Sequence, residues 1–135
     1  MSDKKKIEKI ILQMEAYLEC WKQFSNFVNL ARAKKFSPED EAQFLEVKSV
    51  ITQQLEMVLS FFAAPPVNRE DIHALMGNAS SIRVMSEMNE NALRNLESQW
   101  HKIFISLQAV LGQLKVQQKE VEGQSFWSSL FAKKK

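Results

Sequence analysis

Apolar residues recur at Ile7, Ile10, Met14, Tyr17, Trp21, Phe24, Val28 and Ala31 in alternating steps of three and four, and Ile11 and Leu18 widen the stripe. That spacing keeps one face of a helix apolar and predicts helix over about residues 3–34. Lys34 and Lys35 suit the negative end of its dipole, and Phe36-Ser37-Pro38-Glu39-Asp40 then restarts the chain. The serine is a capping residue, the proline fits a first helical position, and the acidic side chains favour the positive end of a dipole. A second helix is therefore predicted over about 38–62, with Phe44, Val47, Ile51, Leu55, Val58 and Phe62 inward, until Pro65-Pro66 stops it. A link of about four residues makes these two an antiparallel hairpin.

Asn68-Arg69-Glu70-Asp71 repeats the pattern of cap and acidic turn ahead of Ile72, Leu75 and Met76, but Gly77-Asn78 and Ser80-Ser81 interrupt it, so the third helix is short. The heptad frame resumes at Ile82, weakens at Ser86 and Asn89, and continues through Leu93, Leu96, Trp100, Ile103, Leu107, Val110 and Leu114. This predicts a helix over about 80–122, with Gly123 at its end. The expected fold is an all-α antiparallel bundle of three long helices and one short helix over residues 1–123. A break between Ser86 and Asn89 gives the alternative, a four-helix up-down bundle. At 1.5 Å per residue the first and last helices would measure about 46 and about 64 Å, so an overhang or bend is required. The segment expected to overhang carries Ile82, Val84, Met85 and Met88, and methionines adapt to irregular surfaces, which makes Met85 and Met88 candidate partner contacts.

Residues 124–135 form a separate amphipathic, basic segment. Phe126, Trp127, Leu130 and Phe131 stand at i, i+1, i+4 and i+5, on one face of a helix with Ser128 and Ser129 opposite, and Lys133, Lys134 and Lys135 follow. Gly123-Gln124 is a candidate hinge. The segment is too short to span a bilayer. Three destinations fit it: folding back over the bundle, which burial of three aromatics favours, a groove on a protein partner, or an anionic membrane interface. With three long helices Lys4–Lys6 and Lys133–Lys135 are expected at opposite ends, and with four they meet.

Composition narrows the function classes. A length of 135 residues fits one domain, and 3 Gly with 3 Pro leave too few turns for a sandwich or barrel. The opening residues are charged, with no apolar leader pattern, and no run is apolar enough to cross a bilayer, so a cytoplasmic protein, membrane-peripheral if the closing segment anchors it, is expected. Cys20 alone cannot form an internal disulfide and reads as a small hydrophobe beside the seam. The net charge is +2, but residues 7–132 hold 12 basic against 15 acidic groups, so the body is acidic and the lysines at both ends make up the difference. That balance argues against nucleic acid as a partner.

Chemistry is sparse. Glu70-x-x-His73 has the spacing of carboxylate-bridged di-metal bundles, which need a second such motif. His101 follows Glu97 at four residues, and Glu70 belongs to a helix's first turn, so capping accounts for it. There is no glycine-rich phosphate loop, no cysteine pair for zinc, and no nucleophile elbow. The sequence therefore predicts a protein without enzymatic activity, cofactor, metal or small-molecule substrate. It is expected to act through protein–protein interaction or self-association, in an adaptor, assembly or structural role. The alternative is a peripheral membrane protein anchored by the closing segment.

Overall fold

The structure, a computed structural model, describes residues 3–132, without the side chains at 125–129, 131 and 132. All regular structure among the described residues is helical: α1 Asp3–Ala33, α2 Pro38–Ser60, α3 Arg69–Asn78, α4 Ile82–Ser86 and α5 Glu90–Ala132. The α1–α2 boundary is built as its residues dictate. The Lys34 amide donates to the Ala31 carbonyl at 3.1 Å and the Lys35 amide to the Leu30 carbonyl at 3.2 Å, the paired bonds that close a helix around one left-handed residue. That residue is Lys34, at φ 56°, where glycine would avoid a steric cost of about 1 kcal/mol. Ser37 then caps α2: its Oγ accepts from the Asp40 amide at 3.1 Å while Asp40 Oδ2 accepts from the Ser37 amide at 2.8 Å.

Contacts down the core fix how the long helices lie. Phe24 and Phe27 meet Phe44, the Tyr17 hydroxyl donates to the Ile51 carbonyl at 2.9 Å, and Gln13 reaches Met57. Residue numbers fall along α1 as they rise along α2, so the two run in opposite directions. The same holds for α1 and α5, because Arg32 pairs with Glu90 and Glu97, Trp100 Nε1 donates to the Trp21 carbonyl at 2.8 Å, and Leu18 shares a groove with Leu111. Met14, Tyr17, Trp21, Phe24, Phe44, Ile51, Leu55 and Leu107 are fully buried between them. Each large apolar side chain buried in this way contributes roughly 1.5–3 kcal/mol before conformational entropy is subtracted.

Residues 61–89 return from the end of α2 to its beginning in short pieces. The Arg69 guanidinium holds Glu56 near the end of α2, while further on Glu41, in the first turn of α2, accepts from the amides of Ile82 at 3.1 Å and Arg83 at 2.7 Å. Lys48 Nζ donates to the Ser80 carbonyl and Lys34 Nζ to the Ser86 carbonyl. Ser81 caps α4 through the Val84 amide, and Asn89 accepts from the Ala92 amide at the start of α5.

Several sequence expectations are corrected here. The helix expected over 80–122 is two elements, one turn of α4 and the 43-residue α5, so there are three long helices and two short ones. The break falls between Ser86 and Asn89, yet it yields a five-residue helix and not a fourth comparable one. Gly123-Gln124 is not a hinge, because α5 continues through both to Ala132. The start of α1 and the far part of α5 lie at the same end, since the short pieces return the chain before α5 begins. No helix among the described residues is long and apolar enough to cross a membrane.

Candidate interaction surface

The side chains that carry chemistry are dispersed. Glu70 and His73 are exposed on α3 and His101 is exposed on α5. Among the described residues no group of three His, Cys, Asp or Glu is placed to hold a metal ion. The Cys20 thiol is half-buried, and burial, with the neighbouring Glu19 charge, raises its pKa, which keeps it in the weakly nucleophilic protonated form. Burial also pushes the Tyr17 hydroxyl above its ordinary range; the Trp21 indole N–H favours the ionised phenol only in part, since its geometry falls short of a hydrogen bond. Lys48, laid against the Phe44 ring, has its pKa lowered by burial and serves the Ser80 carbonyl. These groups support the fold.

The methionine surface expected around residue 85 is not there. Met85 is fully buried with Ile82 and Ala79 in the core, and Met88 is half-buried against it. The physical reason is the set of polar ties from Lys34, Glu41 and Lys48, which draws residues 80–86 onto α1 and α2 where a long continuous helix would have projected. The sequence signals are Ser81 and Asn89, two capping residues that the apolar frame, though weakened at Ser86 and Asn89, outweighs.

A different surface emerges where α1 begins. Gln13 lies level with Met57, so α2 ends at Ser60 close to the level of Ile10, and α1 and α5 continue as a pair. The helical register carries α5 past Asp3. Glu8, Ile11, Leu12 and Glu15 of α1 line a groove with Lys115, Gln118 and Lys119 of α5. Ile7, Ile10 and Val121 are only half-buried here, Leu12 is 67% exposed and Val116 57% exposed. Lys4, Lys6, Lys9, Lys115 and Lys119 are all exposed.

Leu130 is half-buried; the side chains of Phe126, Trp127 and Phe131, and residues Lys133, Lys134 and Lys135, lie outside the described residues. The α5 backbone still fixes helix positions. At 100° per residue, Ile105 and Val116 stand about 170° from Leu107, exposed on the side away from the α1 seam.

Comparison of the chain with protein-family models, with curated proteins and with solved structures finds no match.

Proposed function

We propose that the protein is a non-enzymatic helical bundle that works by contact, in an adaptor, assembly or structural role, and that the α1/α5 end is the surface through which it meets a partner. The observation that carries this reading is the mismatch of the paired helices: α5 has 43 residues and α1 has 31. At 1.5 Å per residue the difference is about 18 Å of helix. Part of it projects beyond Asp3, and the sequence of that part is apolar at 126, 127, 130 and 131. A bundle gains little stability from such a projection, whereas a partner surface gains apolar area from it.

The test compares the full chain with a chain ending at Glu122, by urea unfolding and by sedimentation velocity. Among the described residues Leu114 is the last buried side chain of α5, so the shorter chain keeps its described core. Equal unfolding free energies, with any self-association confined to the full chain, support the contact reading. A loss of about 2 kcal/mol or more on truncation shows that the segment belongs to the fold and removes the proposal.

A further inference from the structure

The groove at the start of α1 continues along the helix pair. In one stretch Glu8 and Glu15 of α1 line it with Lys115 and Lys119 of α5; in the next, Glu15, Glu19 and Lys22 line it with Gln108 and Lys115. From Glu8 to Lys22 it runs about 21 Å. At 100° per residue these α1 positions centre about 150° around the helix from Gln13, Tyr17, Phe24 and Phe27, the side chains that meet α2, so α2 leaves the groove open. Leu12, in its lining, is at 67% the most exposed large hydrophobic side chain of the described part. Leu111 is half-buried in it, and a Cβ at Gly112 would meet nothing within 4 Å, so the floor admits a close approach.

The groove is neutral as a whole, yet its charges are sorted by helix. Its α1 wall carries Glu8, Glu15 and Glu19 against Lys22 alone, and its α5 wall carries Lys115 and Lys119 with no acid among the lining residues. Among the described residues none of these six groups is in an ion pair, so the opposite charges do not meet across the groove. A surface of one sign, such as a nucleic acid backbone or an anionic membrane, would satisfy one wall and repel the other. The matching partner presents an acidic ridge beside a basic one, and this chain is itself such a partner.

We propose that the protein pairs with a second copy of itself through this groove, about a two-fold axis running along it. This rests on the contact reading above and names its partner. Such an axis keeps each residue at its own height and lays α1 of each copy on α5 of the other, so Glu8 and Glu15 of each meet Lys119 and Lys115 of the other. An axis across the groove would set α1 on α1 and α5 on α5, acid against acid and lysine against lysine. Two helices, each about 10 Å across, offer about 400 Å² per copy over this length, half of the roughly 800 Å² that stable interfaces bury on each partner. The dimer is therefore weak and concentration-dependent. Beyond Asp3 neither α1 stands between the copies, and the two α5 backbones continue side by side to Ala132, which enlarges the contact.

The experiment is sedimentation equilibrium of the full chain from about 5 to about 500 μM, at low and high salt. A monomer–dimer equilibrium should appear, and high salt should weaken it. Lys115→Glu with Lys119→Glu makes both walls acidic, Glu8→Lys with Glu15→Lys makes both basic, and each pair should raise the dimer Kd at least about ten-fold. All four substitutions in one chain exchange the walls, keep the net charge and should return Kd to within about three-fold of the parent. Circular dichroism confirms that each variant is folded. The chain ending at Glu122 keeps the groove without the α5 extension and should be monomeric at concentrations where the full chain is paired. A full chain that stays monomeric to about 500 μM at low salt overturns the proposal. So does a dimer that either folded pair leaves unchanged, or that the folded four-substitution chain fails to restore. If the full chain is monomeric while truncation at Glu122 costs no stability, only the second copy falls as the occupant. If that truncation destabilises the fold, the contact reading falls as well.

Discussion

Glu41 offers the sharpest test of how residues 80–86 are held. Its carboxylate sits in the first turn of α2 and accepts from two amides of a helix some 40 residues further along the chain, at 3.1 Å from Ile82 and 2.7 Å from Arg83. Helix α4 has only five residues, too few to be stable by itself, and the first three amides are left without partners inside it. Glu41 satisfies two and Ser81 Oγ the third. Beneath them Ile82 and Met85 are fully buried. Hydrogen bonds to a charged acceptor contribute about 1.5–3 kcal/mol, and the Arg83 bond is exposed, so the pair is discounted to about 2 kcal/mol.

Glu41→Ala should therefore lower the unfolding free energy by about 2 kcal/mol, and Glu41→Gln, which keeps one carbonyl acceptor without the charge, by about 1 kcal/mol. With an unfolding entropy of roughly 2.1 cal/mol/K per residue, 2 kcal/mol corresponds to about 7 °C in Tm. Glu41 also favours the α2 dipole, and Glu39→Ala controls for that contribution of about 0.3–1 kcal/mol. The assay is urea unfolding followed by far-ultraviolet circular dichroism. If α4 loosens locally, the m value should fall along with the midpoint, because less surface remains to be exposed. Equal losses for Glu41→Ala and Glu39→Ala would refute the argument, for then the contact with α4 would add nothing to the dipole effect.

Two further predictions concern the core and the long helix. Burial raises the Tyr17 pKa, so the folded state keeps a proton that the unfolded chain releases from pH 10 upward; stability should be intact below pH 10 and fall above it, by up to about 1.4 kcal/mol per pH unit, in a Cys20→Ala background that removes the thiol, the other group whose pKa burial raises. Tyr17→Phe should abolish that slope at a cost of about 1 kcal/mol at neutral pH for the lost bond to Ile51, and a slope that persists would exclude Tyr17 as its source. A Cβ added at Gly112 or Gly123 meets nothing within 4 Å, so Gly112→Ala and Gly123→Ala should each raise stability by about 0.5–1 kcal/mol in thermal unfolding. Destabilisation by Gly123→Ala would show that α5 bends there.

The parts of this fold that were legible in the sequence are those decided locally. The apolar steps of α1 and α2, Ser37 with Pro38, and the prolines after Phe62 act within a turn or two of where they stand, and the corresponding boundaries agree with the structure to within two residues. Residues 80–89 are not legible locally because the deciding partners, Lys34, Glu41 and Lys48, lie 32 to 52 positions away. An apolar frame running from Ile82 to Leu93 looks the same whether or not the backbone breaks within it. Gly123 signals a stop through a preference of only about 1 kcal/mol, which a long helix can override. That the start of α1 and the far part of α5 share one end depends on the path of the short helices, which no local pattern encodes.

That path also explains why the stable and the exposed regions of the molecule are separate. From Met14 to Ala31 the inner side of α1 is covered by α2, α4 and α5, and the charged ties of Lys34, Glu41 and Lys48 secure the segment that completes this region. Toward Ile7 the cover thins to α5 alone, and toward Val121 α5 has only α1. Regions with few buried apolar contacts open at low free energy, while a core opens only with the whole domain. A contact made at the thin end can therefore reorder side chains, and even the last turns of α5, without disturbing Trp21, Phe24 or Phe44. Stability drawn from one end leaves the other free to be shaped by what it meets.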